Sequence, residues 1–555
     1  MSGKRVLVVG GVAGGAACAA RLRRIDEKAE IFVYERNADV SFANCGLPYF
    51  IGGVIPDRQR LLVSSASRFR DLLKVEVRVR HEVTRIDRGA KTVEVKNLAT
   101  GASSVEAYDA LVLSPGASPI RPPLPGIDLP GIFTLRNLDD MDHIVAWINR
   151  RRPQRAVVVG GGYIGLEMVE NLVQRKIEVI VLERLNQVMP PMDPEMVAPV
   201  QTALRQRGVD LRLDNGVVSF EQGPSETLLV NTIRGEHVTG AMVVLSVGVR
   251  PDVKLAKEAG LEIGHLGGIR VDEQMRTSDP AIYAVGDAVE VRDFVTGQWT
   301  LVPLAGPAAR QGRIAADAIC GRASRFRGTQ GTGIVGLFGL ALATTGASEK
   351  TLRAAGIAFE KTYTHSLHHA GYYPGAEQMT IKLLYAPDTG RLLGAQAVGQ
   401  SGVDKRIDVL AMALQKGATV YDLEEAELSY APQFGSAKDP VDIAGMVAAN
   451  RLRGDVDVVH WEDWQRRQAA GGELPLVIDV RPASAAAAGA VAGTVNIPLG
   501  ELRSRLKELP RDREIWVHCT VGQTSYYAAR VLMQNGFQVR NLSGGMVSFQ
   551  TMPKA

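Results

Sequence analysis

The chain of 555 residues contains only four cysteines, Cys18, Cys45, Cys320 and Cys519, and they lie far apart. No CxxC pair occurs, and no cysteine and histidine spacing suits zinc, so we predict neither a disulfide framework nor a metal site. An isolated cysteine is usually a buried and inert thiol. A chemical role for any of the four therefore has to be argued from its sequence neighbours.

Strong charge imbalance and long apolar segments are also missing. The formal net charge is +4 and no long run of lysine or arginine occurs, so we expect no nucleic-acid partner. The longest apolar segment, residues 334–346, is interrupted by glycine and threonine and is too short to cross a bilayer. The first residues enter a strand pattern without the features of a signal peptide. We therefore expect a cytoplasmic protein with no membrane partner.

The length predicts three or four folding units, and the first half of the chain contains the same pattern twice. An apolar, β-branched run at residues 5–10 ends in glycines and is followed by a small-residue helix and a second strand at 30–35. The order of strand, glycine turn, helix and strand recurs at residues 155–183. Two βαβ units, each able to bind a dinucleotide, are predicted.

The first glycine turn is an imperfect GxGxxG fingerprint, because Val12 stands at the middle glycine position. Gly10 permits the sharp exit from the strand, and Gly15 permits close packing of the helix. Glu35 follows Gly10 by 25 positions, where a carboxylate can accept hydrogen bonds from a ribose while the helix N-terminus faces the pyrophosphate. The predicted cofactor contacts of this unit are Gly10, Val12, Ala13, Gly14, Gly15 and Glu35.

The second glycine turn, residues 160–165, matches the fingerprint fully. Glu183 follows Gly160 by 23 positions. An acidic residue at this place accepts a hydrogen bond from a ribose 2′-hydroxyl and repels a 2′-phosphate, which favours NADH over NADPH. Arg184 beside it keeps NADPH as an alternative. The predicted contacts are Gly160, Gly162, Tyr163, Ile164, Gly165 and Glu183.

Three further segments, residues 108–119, 277–288 and 304–316, resemble the pyridine nucleotide-disulfide oxidoreductase family. The resemblance covers about residues 1–450 and implies that the first site binds FAD and the second NADH. Asp287 follows a short strand, at the place where that family holds the flavin ribityl chain. The further cofactor contacts that the resemblance implies are Ser114, Pro115, Gly116, Gly248, Gly286, Asp287, Pro303 and Ala305.

Cys45 lies in the turn-rich segment SFANCGLPYFIGG. This segment resembles the coenzyme A-disulfide reductase branch and its persulfide-reductase relatives, which use one cysteine where glutathione reductase has a CxxxxC pair. Phe50 stands where the second cysteine would be. A lone thiol must form its second sulfur bond with a substrate, after which electrons from reduced flavin release a thiol or hydrosulfide. We expect nearby positive charge or dipoles to lower the pKa of Cys45.

The same resemblance implies residues that assist Cys45. Tyr372 and Tyr430 are the predicted proton donors to the leaving thiolate across a dimer interface, with Tyr373 as a rival for the first role and packing tyrosines as the alternative. Coenzyme A, which would bring three phosphate groups and could stay bound, is expected near Arg24 unless that side chain belongs to a solvated helix face. The predicted substrate-binding residues are Arg24, Ser41, Asn44 and Lys438.

From about residue 456 the chain resembles a rhodanese domain, a module that carries sulfane sulfur on one cysteine. Cys519 follows the strand-like segment IWVHC and opens a loop before a helix, where amide N–H groups stabilise a thiolate or persulfide. Thr524 occupies the sixth loop position, where that family often has arginine, which argues against the anionic donor thiosulfate. Cys519 is then either a carrier that passes a persulfide to Cys45 or part of a degenerate binding module.

The implied fold class is α/β, with two Rossmann-like dinucleotide-binding domains, an α+β dimerisation domain and a small α/β rhodanese-like domain. A helix is predicted at about residues 404–416, and a polar stretch at about 450–473 leads into the last domain. The predicted bounds are 1–115 and 251–325 for the FAD domain, 116–250 for the NAD domain, 326–450 for the dimerisation domain and 451–555 for the rhodanese-like domain.

Three functions fit these observations. The leading hypothesis is an NADH-dependent flavoprotein, homodimeric, that reduces a small-molecule sulfur acceptor: coenzyme A persulfide, polysulfide or coenzyme A disulfide. The second is an NADH oxidase or peroxidase in which Cys45 cycles through sulfenic acid. The third is a non-enzymatic sulfur carrier or redox sensor that holds persulfide on Cys519. The fused rhodanese-like segment favours the first over the second, and two nucleotide sites favour it over the third.

Overall fold

The computed structural model describes residues 3–471 and 473–552. The chain divides into two compact units. The first unit consists of Met1–Val188 with Arg205–Gly331, and the second of Met189–Leu204 with Thr332–Ala555.

The first unit contains two five-stranded parallel sheets. Apolar β-branched residues fill their central strands, as expected for strands covered on both faces. In spatial order, one sheet consists of Ile282–Ala284, Ala110–Leu113, Arg5–Val9, Glu30–Glu35 and Glu76–Val79. The other consists of Asp210–Arg212, Glu178–Leu182, Arg155–Val159, Met242–Leu245 and Ile132–Phe133. Both predicted βαβ units are therefore present, and the predicted α/β class is confirmed.

Helices and small antiparallel or mixed sheets complete the first unit. The helices are Ala13–Ile25, Leu47–Gly52, Ala66–Leu73, Leu138–Arg151, Tyr163–Gln174, Lys254–Glu258 and Ala305–Ile319. The remaining strands are His81–Asp87, Thr92–Asn97, Ser103–Ala107, Ala117–Pro119, Val217–Gln222, Leu228–Thr232, His237–Gly240, Val249–Pro251, Ile269–Arg270, Val289–Arg292 and Trp299–Thr300. Helices Ala13–Ile25 and Ala305–Ile319 pack closely, because a Cβ at Gly312 would collide with the carbonyl oxygen of Gly14.

The second unit begins with a five-stranded antiparallel sheet. Its spatial order is Gly333–Leu337, Leu340–Gly346, Leu392–Gly399, Gln378–Tyr385 and Glu360–Leu367. The apolar segment 334–346 forms a hairpin in this sheet, with Phe338 and Gly339 at its turn, both at positive φ. The helices around it are Pro194–Gln206, which ends two residues inside the first unit, Glu349–Ala354, Val403–Lys416, Val420–Glu424 and Pro440–Leu452.

A five-stranded parallel sheet forms the rest of the second unit. Its spatial order is Val458–Val459, Val539–Leu542, Ile515–His518, Leu476–Asp479 and Thr494–Asn496. Its helices are Trp461–Ala470, Ala483–Ala487, Leu499–Leu502, Gln523–Gln534 and Gly545–Thr551. The polar stretch at about residues 450–473 therefore belongs to the folded domain. It contains helix Trp461–Ala470, whose Trp461 and Trp464 are buried in the core.

Buried polar contacts join the two sheets of the second unit. His365, on strand Glu360–Leu367, contacts Ser548 Oγ through Nε2 at 2.9 Å and Thr380 Oγ1 through Nδ1 at 2.8 Å. Burial lowers the pKa of His365 to about 4, which keeps the ring neutral at physiological pH. The Tyr363 amide donates to Ser543 Oγ at 3.3 Å. The segment that receives both contacts also backs the Cys519 loop, since the Met546 amide donates to the Cys519 carbonyl oxygen at 2.9 Å.

A lysine is fully buried beside this contact. Lys382 Nζ donates to Asp193 Oδ2 at 2.7 Å, to Glu349 Oε1 at 2.5 Å and to Glu195 Oε1. Asp193, Glu195 and Glu349 place their carboxylate oxygens within 4.8 Å of one another, close enough to hold a metal ion. Lys361 Nζ also donates to Glu349 Oε1 at 2.8 Å, so two lysine ammonium groups already stand where a metal cation would offset part of this negative charge.

Candidate active site

The first glycine turn closes tightly on its own sheet. Gly10 has φ +96°, and a Cβ at Gly15 would collide with the carbonyl oxygen of Gly10, so both positions require glycine. Val12 is the N-cap of helix Ala13–Ile25, which therefore points its free amides at the turn. Glu35 is buried, and its Oε2 accepts from the Gly11 amide at 2.9 Å while Oε1 accepts from the Asn37 amide at 2.9 Å. The turn and its acidic residue form one hydrogen-bonded structure.

The remaining predicted FAD contacts lie at the same edge of that sheet. Ser114 follows strand Ala110–Leu113, and Gly286 and Asp287 follow strand Ile282–Ala284, so all stand at the carboxyl ends of parallel strands. Pro115 and Gly116 continue from Ser114, and the exposed residues Pro303 and Ala305 stand at the start of helix Ala305–Ile319. Burial raises the pKa of Asp287, and the charge of Arg136 partly offsets this. Turn, carboxylate and helix end fit a dinucleotide at this edge.

The second glycine turn repeats this arrangement. Gly160 has φ +101°, and a Cβ at Gly165 would collide with the Gly160 carbonyl oxygen. A Cβ at Gly162, the N-cap of helix Tyr163–Gln174, would meet no atom of the described residues within 4 Å, which leaves room for a pyrophosphate. Glu183 Oε2 accepts from the Gly161 amide at 2.7 Å and Oε1 from the Leu185 amide at 2.8 Å. Ile164 begins the same helix, and Gly248, at φ +109°, follows the neighbouring strand Met242–Leu245.

Cys45 lies in the short 3-10 turn Asn44–Gly46, directly before helix Leu47–Gly52. Its thiol is solvent-accessible. The turn is anchored by Asn44, whose Nδ2 donates to the Arg136 carbonyl oxygen at 3.1 Å. Ser41, four residues earlier, adopts a left-handed backbone with φ 51°, and its amide donates to the Gly11 carbonyl oxygen at 2.9 Å. The Cys45 segment is therefore tied to the first glycine turn.

The sequence predicted that nearby positive charge or dipoles lower the pKa of Cys45. This prediction is wrong for the side chains of the first unit, whose net effect is to raise it. Although the thiol is accessible, the protein packed round it raises its pKa, and the carboxylates of Glu167 and Asp287 raise it further. Positive charge does not dominate around this thiol. From the sequence, neither Glu167 nor its hydrogen-bond partner Tyr49 was placed near Cys45. Glu167 lies on helix Tyr163–Gln174, which follows the glycine turn of the other nucleotide site.

The basic side chains before the second strand have different roles. Arg23 is buried, and its guanidinium donates to five backbone carbonyl oxygens, which makes it structural. Arg21 pairs with Asp317 at 2.9 Å. Arg24 is exposed on the last turn of helix Ala13–Ile25. Of these three, Arg24 has the accessibility that a phosphate contact requires.

The two predicted tyrosines meet in the second unit. Tyr372 and Tyr430 are exposed by 76% and 48%, and their hydroxyl oxygens are 2.7 Å apart. Tyr373 is also exposed, but its ring packs edge-on against His369. Their hydrogen bond raises the pKa of Tyr372, which keeps its proton available as a donor. Lys438 is exposed in the segment that follows Tyr430. The exposure argues against packing tyrosines.

Cys519 is buried at the base of a loop before helix Gln523–Gln534. The Gly522 amide donates to its Sγ at 3.2 Å, and Ser525 Oγ donates at 3.4 Å. Burial alone would raise the pKa of this thiol, but the hydroxyls of Ser525 and Thr524 and the loop amides lower it below its usual value. Thr524, at the position where rhodanese domains often have arginine, thus supplies a neutral hydrogen-bond donor in place of a cation. The loop favours a thiolate without a positive charge.

Replacing Ser525 with alanine should make Cys519 less nucleophilic, because a charge-assisted hydrogen bond to the thiolate is lost. We expect alkylation of Cys519 at pH 7 to slow by about 10-fold. The rate is measured by mass spectrometry of the Cys519 peptide in a Cys45→Ser background, with exposed Ser504→Ala as the matched control. An unchanged rate would assign the stabilisation of the thiolate to the Thr524 hydroxyl and the loop amides.

Among the described residues, we find no helix with the length and apolar character of a membrane span.

Three family models match the sequence. Residues 4–312 match pyridine nucleotide-disulphide oxidoreductase, residues 334–439 match the dimerisation domain of that family, and residues 462–552 match the rhodanese-like domain.

Known proteins resemble the chain over most of its length. A coenzyme A disulfide reductase of Staphylococcus epidermidis is 36% identical over 445 residues, covering 80% of this chain and 99% of that protein. The crystal structure of reduced Bacillus anthracis CoADR-RHD is 47% identical with a TM-score of 0.97 and covers 99% of this chain and 98% of that one. A NAD-dependent persulfide reductase from A. fulgidus is 36% identical with a TM-score of 0.90 and covers 98% of this chain and 100% of that one.

Proposed function

Because the chain belongs to the pyridine nucleotide-disulphide oxidoreductase family, we propose that it uses NADH and Cys45 to reduce the sulfur–sulfur bond of coenzyme A persulfide or coenzyme A disulfide. The enzyme is an FAD- and NAD(H)-dependent oxidoreductase. The observation that carries the proposal is a single accessible thiol, close enough to Asp287 at the first nucleotide edge to feel its charge, with Phe50 where a second cysteine would stand.

The chemistry at Cys45 follows from its having no partner thiol in its own segment. The Cys45 thiolate attacks the sulfur–sulfur bond of the substrate, forms a mixed disulfide or a persulfide, and releases one thiolate or hydrosulfide. When bound, FAD and NADH supply the two electrons that break the new bond. Cys45 then returns as thiolate, and a protonated tyrosine hydroxyl stabilises the leaving sulfur anion.

A homodimer would bring the tyrosines of one subunit to the cysteine of the other. The family match of residues 334–439 to a dimerisation domain supports this arrangement, as do the exposed aromatic side chains of the second unit. Within residues 334–439 these are Tyr372, Tyr373, Tyr430 and Phe434. Aromatic side chains are enriched in the buried core of interfaces. A sedimentation experiment that finds only monomer at micromolar concentration would contradict the dimer.

Cofactor and substrate contacts are assigned on the same basis. The residues of the two glycine turns and of the strand ends bind FAD and NADH, with Glu35 and Glu183 accepting from the ribose hydroxyls. Arg24, Ser41, Asn44 and Lys438 contact coenzyme A, and the first three lie in the same unit as Cys45. Cys519 carries a persulfide that can be passed on for reduction, a role supported by its hydrogen-bonded sulfur. Its loop, without a cation, suits organic persulfides better than thiosulfate.

The decisive experiment compares acceptors under anaerobic conditions. Purified FAD-loaded protein is mixed with NADH and with coenzyme A persulfide, coenzyme A disulfide or polysulfide, and NADH oxidation is followed together with thiol release. We expect one NADH per sulfur–sulfur bond broken. Faster NADH oxidation with peroxide or oxygen than with every sulfur acceptor would identify an NADH peroxidase or oxidase instead. Negligible turnover with all of them would favour a sulfur carrier.

A further inference from the structure

Two loops of the second unit, here named the tyrosine loops, carry Tyr372 and Tyr430. The first consists of residues 368–377, between two strands of the antiparallel sheet, and the second of residues 425–439, directly before helix Pro440–Leu452. The two hydroxyl oxygens meet at 2.7 Å on exposed side chains, where water competes for the same hydrogen bonds. An exposed bond of this kind adds little net free energy, so the position of the loops has to be set by buried contacts.

A buried arginine binds both tyrosine loops. Arg406, on helix Val403–Lys416, is 1% exposed, and its Nη2 donates to the His368 carbonyl oxygen of the first loop at 2.7 Å. The same Nη2 donates to Asp439 Oδ2 at 2.7 Å, and Nε donates to Asp439 Oδ1 at 3.1 Å, at the end of the second loop. Nη1 donates to the Gly402 carbonyl oxygen at 3.4 Å. One planar guanidinium group therefore holds both loops through a fork that a lysine cannot form.

The tyrosine loops also contact each other directly beside this arginine. The Ala370 amide donates to the Gly435 carbonyl oxygen at 3.0 Å. A Cβ at Gly435 would lie 3.8 Å from Arg406 Nη2, so the backbone contact lies close to the guanidinium group. It joins a residue two positions before Tyr372 to one five positions after Tyr430. A displacement at the arginine is therefore passed through short stretches of backbone to both hydroxyls.

Asp439 connects the arginine to the next helix. It is 2% exposed and caps helix Pro440–Leu452, because its Oδ1 accepts from the Val441 amide at 3.1 Å. Its own amide donates to Asp442 Oδ2 at 3.0 Å. The second tyrosine loop thus ends at a fixed point of the fold, and the arginine joins the first loop to that point.

We propose that Arg406 is a positioning residue that holds the two tyrosine loops in register, so that the hydroxyls of Tyr372 and Tyr430 meet. Arg406 acts on the reaction only through these hydroxyls, because its own guanidinium group is buried and donates to protein oxygens. The inference rests on the proposed function, in which a tyrosine hydroxyl stabilises the leaving sulfur anion. It names the residue that brings together two hydroxyls 58 positions apart.

Amide hydrogen exchange of the FAD-loaded protein tests the role of Arg406 without a sulfur acceptor. Arg406→Lys keeps a positive charge beside Asp439 but loses the fork, so one of the two loops loses its donor. We expect the Ala370 amide to exchange about 10-fold faster, because its bond to Gly435 opens more often. Strand Gln378–Tyr385 should keep its wild-type exchange rate, which separates local loosening from global unfolding.

Turnover with coenzyme A persulfide tests whether Arg406 acts through the tyrosines. Arg406→Lys should lower kcat about 10-fold and leave KM within about 2-fold, because a misplaced hydroxyl affects the leaving group more than binding. In a Tyr372→Phe, Tyr430→Phe background, Arg406→Lys should lower kcat by less than about 2-fold, because the hydroxyls that it positions are gone. Initial rates of NADH oxidation under anaerobic conditions give both values.

Two further variants complete the experiment. Arg505→Lys is the matched control, because Arg505 also donates from Nε and Nη2 to one carboxylate, that of Glu508, outside both loops. It should leave exchange at Ala370 and kcat unchanged. Asp439→Asn retains an oxygen that caps the helix but removes one acceptor of the fork, and it should reproduce both changes seen in Arg406→Lys.

Two results would overturn the proposal. One is wild-type exchange at Ala370 in both Arg406→Lys and Asp439→Asn. The other is an equal loss of kcat from Arg406→Lys with and without the tyrosine hydroxyls, which would show a general structural role. If Tyr372→Phe, Tyr430→Phe turns over as fast as the wild type, the proposed role of the tyrosines fails, whereas faster exchange at Ala370 still supports the position assigned to Arg406.

Discussion

Replacing Cys45 with serine is expected to lower kcat for NADH-dependent reduction of coenzyme A persulfide and coenzyme A disulfide by at least ~10³-fold. The physical reason is that a serine hydroxyl cannot form or release a bond to sulfur, and no second cysteine stands in the segment to replace it. The measurement is the initial rate of NADH oxidation with each acceptor under anaerobic conditions.

Two controls separate this chemistry from general damage. Cys320→Ser, at the end of helix Ala305–Ile319, changes a partly buried thiol that the proposed mechanism does not use and should keep activity within about 2-fold. The Cys45→Ser protein should still reduce its flavin with NADH, because the glycine turns are intact. Full turnover with a sulfur acceptor in Cys45→Ser would eliminate Cys45 as the reacting atom.

Replacing Lys382 with methionine is expected to destabilise the second unit by about 3–5 kcal/mol. Methionine has nearly the same length but leaves the buried carboxylates of Asp193, Glu195 and Glu349 without their shared cation. Burial would raise the pKa of Glu349, but the ammonium groups of Lys382 and Lys361 together lower it to about 2, so this carboxylate depends in part on Lys382. The measurement is the denaturant midpoint followed by tryptophan fluorescence.

The control for this prediction is Lys416→Met, because Lys416 is exposed on helix Val403–Lys416. Its midpoint should stay close to that of the wild type. Combining Lys382→Met with Glu195→Gln removes the carboxylate whose ion-pair partner is Lys382, and the double variant should be more stable than Lys382→Met alone. If Lys382→Met unfolds at the wild-type midpoint, the buried carboxylates are neutralised by another route.

Much of the fold could be predicted, because local patterns carry it. The apolar runs predicted as strands at residues 5–10 and 30–35, and the two strands predicted within 155–183, end at glycine turns or acidic residues. The structure confirms them as Arg5–Val9, Glu30–Glu35, Arg155–Val159 and Glu178–Leu182. The helix predicted at 404–416 is Val403–Lys416. Helix Trp461–Ala470 was not predicted, because most of its residues are charged or polar. Its two buried tryptophans, spaced three residues apart, were the signal that could have indicated it.

The site was less predictable, because its electrostatics depend on residues far apart in sequence. The cysteine segment and the glycine turns are contiguous motifs and can be identified as such. Glu167 lies 122 positions from Cys45 and belongs to the other nucleotide unit, so no local spacing indicates that its charge acts on the thiol. The positive charge or dipoles expected round Cys45 are outweighed by burial and by two carboxylates that are distant in sequence. Lys382 resembles an ordinary strand lysine until Asp193, 189 positions away, is placed beside it.

The acidic residue that follows each glycine turn binds backbone amides of its own loop, in addition to its proposed contact with a ribose. Glu183 holds the Gly161 and Leu185 amides with its two oxygens, as Glu35 holds those of Gly11 and Asn37. Replacing Glu183 with arginine to change the coenzyme preference to NADPH would therefore remove the acceptor of the Gly161 and Leu185 amides and destabilise the loop that binds the coenzyme. A variant that prefers NADPH therefore needs a new acceptor for these amides as well as a cation that binds the 2′-phosphate.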